Sequence, residues 1–156
     1  MADLRKVSAL ILDDNAHMRG LIRTTLSAFG LRHIHEAGDG STAMAKLDQG
    51  DVDIAFVDLK HGNLSVLGGI EFCREVRKRP EQELRFLPLI IVTAYSELRY
   101  LKQAIDAGAD ELMFYDPREN ARPAPLTHNP LNALVAPRPI GWIGSVAGAC
   151  EPERRR

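Results

Sequence analysis

Short apolar runs that end in a polar residue recur along the first part of the chain. Ile54–Val57 leads straight into Asp58, and similar runs precede Asp13 and Thr93. An unbroken apolar run of this length is typical of a strand buried on both faces of a parallel sheet. We therefore predict strands over 7–12, 51–58 and 89–93.

Helical periodicity fills the stretches between these runs. Asn15 can cap a first helix through its side-chain oxygen, and Gly30 can end it. Further helices are predicted between 39 and 50, from 70 to Pro80, and from Ser96 to Gly108. The residues expected to face the core are Met18, Leu21, Ile22, Thr25, Leu26 and Phe29, then Ala43, Met44 and Leu47, then Ile70, Cys73 and Val76, and finally Leu98, Leu101, Ala104 and Ile105.

Two further strands complete the alternation. Residues 33–37 predict a short polar strand near a sheet edge, and residues 111–114 predict a fifth strand. Alternating strands and helices with short connections indicate a parallel sheet with right-handed crossovers. The chain is therefore predicted to form a three-layer α/β domain.

The pattern changes near residue 115. Six of the nine prolines lie between Pro117 and Pro139, and no helical periodicity follows the fifth strand. We therefore predict a domain over 1–115 that lacks a normal fifth helix. Residues 116–156 form a proline-rich tail with no domain of its own.

Composition narrows the classes of function. The 156 residues suffice for one domain and a tail, and a net charge of −1 provides no basic field for nucleic acid. Cys73 and Cys150 have no disulfide or metal-site spacing. The first apolar stretch has only six residues, too few for a signal peptide or a membrane span. We expect a cytoplasmic protein without nucleic-acid or membrane partners.

Three carboxylates are expected to meet at the carboxyl edge of the sheet. Asp13 and Asp14 follow the first strand and Asp58 follows the central one, at the edge where open α/β sheets place their chemistry. Like charges this close repel, so a cation would stabilise them, and oxygen ligands favour Mg²⁺. Asp58 can then act as a nucleophile that forms an acyl phosphate, while Thr93 can hydrogen-bond a phosphoryl oxygen. The alternative is a set of solvated turn residues.

Four motifs lie at these strand ends and beyond them: Leu12-Asp13-Asp14-Asn15, Val57-Asp58, Thr93-Ala94 and Gly108-Ala109-Asp110-Glu111. Together they resemble the response-regulator receiver domain, the CheY-like family, over roughly residues 5–114. The resemblance implies a flavodoxin-like sheet of five parallel strands in the order 2-1-3-4-5, the order known for that family.

The same resemblance implies a set of site residues. Asp58 would accept phosphate from a histidine kinase or a phosphotransfer protein. Asp14 and Asp58 would ligate Mg²⁺ directly, Asp13 would bind it through a water molecule, and the backbone carbonyl of Lys60 would contribute. Thr93, which Ala94 follows, would reorient on phosphorylation.

Two departures from the family pattern bear on the conformational switch. The loop from Asp58 to Gly69 is about three residues longer than usual and lacks the usual proline. The family's lysine at the end of the fifth strand, which would pair with the phosphorylated aspartate, falls on Tyr115, and its aromatic switch position falls on Leu112. A phenol cannot replace the charge of an ammonium group.

The tail resembles a different family. Residues 113–118 and 129–145, which include the run Arg-Pro-Ile-Gly-Trp, are similar to the N-terminal segment of flavin-reductase-like proteins with an FMN-binding split barrel. The match covers residues 113–146, and a split barrel needs several more strands. We interpret the chain as a receiver domain joined to a fragment of an unrelated protein. A proline-rich linker is the alternative.

The sequence thus predicts a phosphoacceptor signalling domain with an altered switch. It would not be an enzyme, because it would catalyse at most its own phosphorylation and dephosphorylation. It would act on a downstream protein target. A pseudo-receiver interaction module that does not use phosphate is the second hypothesis, and a flavin-binding oxidoreductase fragment is the third. Without a fifth helix, apolar surface would be covered either by the tail or by a second chain in a homodimer.

Overall fold

The predicted alternation of strands and helices is present in the computed structural model, which describes residues 3–59, 68–94 and 98–114. The strands are β1 (Ser8–Leu12), β2 (His33–Ala37), β3 (Ile54–Val57), β4 (Leu89–Thr93) and β5 (Glu111–Phe114). The helices are α1 (Ala16–Ala28), α2 (Gly40–Asp48), α3 (Gly69–Arg77), α4 (Gln82–Arg85) and α5 (Leu98–Asp106), and a 3-10 turn over Leu4–Lys6 precedes β1.

The five strands form one parallel sheet in the order β2-β1-β3-β4-β5. This confirms the flavodoxin-like α/β fold, with the polar strand β2 at one edge and β3 in the centre. Leu12 of β1 pairs with Val57 of β3, and Val57 pairs in turn with Ile91 of β4. The register therefore aligns the carboxyl ends of the three central strands.

Each face of the sheet carries its own hydrophobic core, because neighbouring residues of a strand point to opposite faces. On one face, Leu10, Val57 and Ile91 join buried residues of α2, α3 and α5. On the other face, Ile11 and Phe56 join Leu26 of α1. The central strands are thus packed on both faces, which fixes the position of their carboxyl ends.

The predicted strand over 51–58 is too long at its start. Gly50 and Asp51 both have positive φ, 78° and 76°, a turn conformation rather than a strand. Asp53 then bonds Ser8 twice: its N–H donates to the Ser8 carbonyl at 2.8 Å, and its Oδ2 accepts the Ser8 N–H at 2.8 Å. Because the Asp53 side chain takes the place of a strand partner, regular pairing begins only at Ile54.

Two residues predicted to face the core are instead exposed. Phe29 follows the last turn of α1 and is 51% exposed, and Leu98 begins α5 and is 76% exposed. Both lie at helix ends, so the buried part of each apolar stripe is shorter than its period predicts. In α1 itself Leu26 is buried, whereas the other predicted core residues of that helix are half-buried, namely Met18, Leu21, Ile22 and Thr25.

The sequence did not predict α4, since four residues are too few to show a helical period. The helix ending predicted at Pro80 comes earlier, because α3 ends at Arg77. Ser96, the whole tail and the predicted lack of a C-terminal helix lie outside the described residues. Within the described ranges, no helix combines the length and apolarity that crossing a membrane requires.

Candidate metal and phosphoacceptor site

Three carboxylates come together at the carboxyl edge of the sheet. One ligand oxygen each from Asp13, Asp14 and Asp58 lies within 4.8 Å of the others. Asp13 and Asp14 follow β1 and Asp58 follows β3, and the pairing of the strands brings their ends side by side. Strand register, rather than closeness in sequence, thus brings Asp58 beside Asp13 and Asp14.

The burial of these residues fits a hard cation at the protein surface. Asp13 is 3% exposed and Asp58 is 8% exposed, whereas Asp14 faces solvent. A donor set made only of carboxylate oxygens suits Mg²⁺, which keeps several of its waters and therefore needs an open side. The residues present fit such an ion, with Asp14 on the open side.

Backbone hydrogen bonds hold Asp13 in place. Its N–H donates to the carbonyl of Ala37 in β2 at 3.1 Å, and its Oδ1 accepts the N–H of Asn15 at 2.8 Å. Asn15 in turn caps α1, because its Oδ1 accepts the N–H groups of His17 and Met18. The turn that carries both acidic residues is thus tied to β2 and to α1.

Asp58 is held between two elements. Its N–H donates to the carbonyl of Leu12 at 2.8 Å, and its own carbonyl lies against Gly69, the first residue of α3. A Cβ on Gly69 would come within 2.0 Å of the Asp58 oxygen and 2.9 Å of the Val57 side chain. Only glycine allows α3 to begin this close to the acidic site.

Thr93 ends β4 and is fully buried, and Ala94 follows it in a half-buried position. Leu112 pairs with Ile91 within the sheet and packs against the core on the α3 side. Lys60 and Tyr115 lie outside the described residues, so their predicted roles remain predictions.

Sequence reasoning missed two residues at this site, Arg19 and Gly69. Arg19 donates to the carbonyl of Asp13, but on α1 it resembles its neighbour Arg23, and nothing in the sequence distinguishes them. Gly69 follows another glycine, which signals a turn but not a close approach to Asp58. The two contacts span six and eleven residues, which is farther than a helical or strand period reaches.

Open parallel sheets with helices on both faces bind their ligands at the carboxyl ends of the strands, and this protein has an acidic site at that edge. Residues 9–115 match the response regulator receiver domain family. The chain therefore belongs to the response regulator receiver family. As predicted, it is a CheY-like receiver domain of two-component signalling.

The chain is similar to several known proteins. It is 30% identical over 106 residues to chemotaxis protein CheY-3 of Vibrio cholerae serotype O1. That match covers 68% of this chain and 78% of the Vibrio protein. It is 34% identical over 101 residues to chemotaxis protein CheY of Pseudomonas aeruginosa, covering 65% of this chain and 77% of that one.

Among solved structures, response regulator protein TrrA of Thermotoga maritima, in complex with Mg(2+)-BeF, is 28% identical to the chain. The TM-score is 0.58, and the match covers 70% of this chain and 86% of that one.

Receiver domains act in signalling rather than as classical enzymes, and they work with histidine kinases or phosphotransfer proteins. The flavin-reductase resemblance of residues 113–146 lies almost wholly outside the described residues and stays a prediction.

Proposed function

We propose that Asp58 is the phosphoacceptor of this receiver domain and that a histidine kinase or a phosphotransfer protein is the donor. Mg²⁺ would be held by Asp13, Asp14, Asp58 and the carbonyl of Lys60. The observation that carries the proposal is the meeting of three carboxylates within 4.8 Å at the ends of β1 and β3. The Mg²⁺-containing structure of a relative supports the choice of ion.

In the proposed transfer, a carboxylate oxygen of Asp58 forms a bond to phosphorus while the bond from phosphorus to the donor histidine nitrogen breaks. The electron pair of that bond stays on the imidazole, and Asp58 becomes an acyl phosphate. When bound, Mg²⁺ neutralises charge on the transferring phosphoryl group. The hydroxyl of Thr93, at the end of the neighbouring strand, then donates a hydrogen bond to a phosphoryl oxygen.

Tyr115 would alter the switch that follows phosphorylation. The family's lysine would pair with the acyl phosphate, and a phenol has no positive charge with which to do so. The chemistry at Asp58 depends on the carboxylates and the ion, so we expect transfer to persist while the conformational response changes. A pseudo-receiver that uses no phosphate is the second candidate, and Tyr115 is the observation that favours it.

The receiver domain would occupy residues 1–115, and residues 116–156 would add a tail without a fold of its own. The protein would work in the cytoplasm. It would act through protein contacts, because its net charge of −1 provides no basic field for nucleic acid.

Intact mass spectrometry with acetyl phosphate and Mg²⁺ tests the proposal. We expect the wild-type chain to gain one phosphate and Asp58→Asn to gain none. Asp106→Asn, an exposed aspartate of α5, is the matched control and should be labelled like the wild type. A folded wild-type chain that gains no phosphate would favour the pseudo-receiver, and labelling of Asp58→Asn would mean that another residue is the nucleophile.

A further inference from the structure

The side chain of Arg19 reaches from α1 to the turn that carries the acidic residues. Its Nη1 donates to the carbonyl of Asp13 at 2.7 Å, and its Nε donates to Oε2 of Glu36 in β2 at 3.3 Å. The guanidinium passes over Gly38, where Nη1 would lie 3.6 Å from an added Cβ. Only 21% of the Arg19 side chain is exposed, so these contacts hold it in one place.

We propose that Arg19 is a positioning residue that holds Asp13 and Asp14 in the geometry that binds Mg²⁺. This inference rests on the proposed function, since it assumes that the acidic site takes the ion. The Asp13 carbonyl belongs to the peptide that links Asp13 to Asp14. Because that peptide is planar, anchoring its oxygen restrains the backbone on both sides and so the directions of both carboxylates.

The hydrogen bond from Arg19 to the Asp13 carbonyl adds to the hydrogen bonds that hold the N–H and the carboxylate of Asp13. The preceding peptide is tied to β2 through Ala37, and the carboxylate is tied to the N–H of Asn15. Arg19 acts on the following peptide, which leads to the exposed Asp14. Groups that orient metal ligands without touching the metal commonly affect metal affinity about 10- to 100-fold.

The charge of Arg19 acts in the opposite direction from its positioning role. A guanidinium near the site repels a cation, which by itself would weaken Mg²⁺ binding. Glu36 offsets part of this charge, and hydrogen bonds from Arg23 and then Arg19 lower the pKa of Glu36, which favours its ionised form. Removing Arg19 therefore weakens Mg²⁺ binding if positioning dominates and strengthens it if charge dominates.

Arg23 offers a matched control within the same helix. It also pairs with Glu36, but its Nη2 donates to the carbonyl of Ile34 at 3.0 Å rather than to Asp13. Replacing Arg23 removes an equal charge and the other arginine partner of Glu36. It leaves the hydrogen bond to the acidic turn in place.

The test is a Mg²⁺ titration of the full chain, followed through the amide signals of Asp14 and Asp58, with acetyl phosphate labelling measured alongside. We expect Arg19→Ala to raise the Mg²⁺ Kd about 10-fold and to slow labelling at low Mg²⁺ but not at saturating Mg²⁺. Arg19→Lys should recover most of the affinity, because an ammonium can still donate to the Asp13 carbonyl. Arg23→Ala should leave the Kd within about 2-fold of the wild type, since it leaves the acidic turn intact.

Three results would overturn the inference: an unchanged Kd in folded Arg19→Ala, tighter binding in that variant, or equal weakening in Arg23→Ala. If Arg19→Ala does not fold, Arg19→Met provides the test, because its apolar side chain fills a similar space without a donor for the Asp13 carbonyl and should weaken Mg²⁺ binding in the same direction. A wild-type chain that neither responds to Mg²⁺ nor gains phosphate would overturn the proposed function and the inference with it. A wild type that does both, beside an unchanged Arg19→Ala, would overturn the inference alone.

Discussion

Gly69 shows how a single residue can control the acidic site. Its Cα lies against the carbonyl of Asp58, so that an added Cβ would approach the oxygen to 2.0 Å. Backbone atoms on both sides make this clash hard to relieve. The position of Asp58 therefore depends on the absence of a side chain eleven residues later in the chain.

We expect Gly69→Ala to lower the free energy of unfolding by about 1–3 kcal/mol, because overpacking forces the backbone to shift. It should also slow labelling of Asp58, since the shift moves the nucleophile. Denaturant unfolding and the rate of reaction with acetyl phosphate measure the two effects.

The neighbouring residue provides the control for that experiment. A Cβ on Gly68 would meet only the end of the Glu71 side chain, at 2.8 Å from its Oε2, and that flexible side chain can turn away. Gly68→Ala should therefore cost less stability than Gly69→Ala and should retain labelling. If Gly69→Ala behaves like Gly68→Ala, the close approach to Asp58 does not matter.

At the scale of elements, α2 is fixed at its start by Asp39. The Oδ1 of Asp39 accepts the backbone N–H of Thr42 at 2.8 Å, and its Oδ2 accepts the Thr42 hydroxyl at 3.0 Å. These hydrogen bonds lower the pKa of Asp39 from its ordinary 3.8. The carboxylate form is thus the one that caps the helix.

Asp39→Ala should cost about 1 kcal/mol at neutral pH, the usual value for loss of an N-cap. Because the pKa is lowered in the folded protein, the stabilisation is present above the unfolded pKa near 3.8. It is lost as the pH falls through the folded value. The stability difference between wild type and variant should therefore shrink below about pH 4, as measured by denaturant unfolding across pH. A difference that is constant down to pH 2 would show that the charge plays no part.

Arg77 joins three elements at the edge of the sheet opposite the acidic site. Its Nη1 donates to the carbonyl of Leu87 at 2.8 Å, its Nε and Nη2 donate to the carbonyl of Gly108, and its Nη2 pairs with Asp110 at 2.9 Å. Asp110 also accepts the N–H of Leu89 at 2.7 Å. One side chain thus ties α3 to the start of β4 and to the turn before β5.

Arg77→Met should destabilise the fold by about 3 kcal/mol, because it leaves the largely buried Asp110 without its guanidinium partner. Thermal or denaturant unfolding measures the change. Lys78→Met is the control on the same helix, where the pair with Glu75 is exposed and contributes at most about 1 kcal/mol. Equal losses in the two variants would contradict the role given to Arg77.

At the scale of the whole molecule, the two faces of the sheet differ. Buried residues of α2, α3 and α5 contribute to one core. Of the helices in the described part of the chain, α1 is the one that contributes to the other core, through Leu26.

We expect the chain to associate, because a proline-rich tail is a poor substitute for a helix in covering the apolar residues of this face. The full chain should then have the mass of a dimer in solution, and truncation after Asp116 should change the mass or lower the melting temperature. Light scattering and thermal unfolding provide the two readings. A truncated chain that is monomeric with an unchanged melting temperature would show that the face needs no cover.

The sequence by itself determined the fold class and the residues that form the acidic edge. Apolar runs and helical periods are local properties of the chain, and they suffice to predict five strands with helices between them. Because parallel strands end at the same edge, the meeting of Asp13, Asp14 and Asp58 could be predicted without coordinates. The strand order itself came from resemblance to a family.

Tertiary structure alone decided which other residues support that edge. The bond from Arg19 to Asp13 and the contact of Gly69 with Asp58 join segments whose relative placement no local pattern encodes. The same is true of Asp53, whose bonds to Ser8 shorten the central strand, and of Phe29, which is exposed although it continues the apolar stripe of α1. Periodicity shows which face of an element is apolar, but contacts between distant residues depend on how the elements pack.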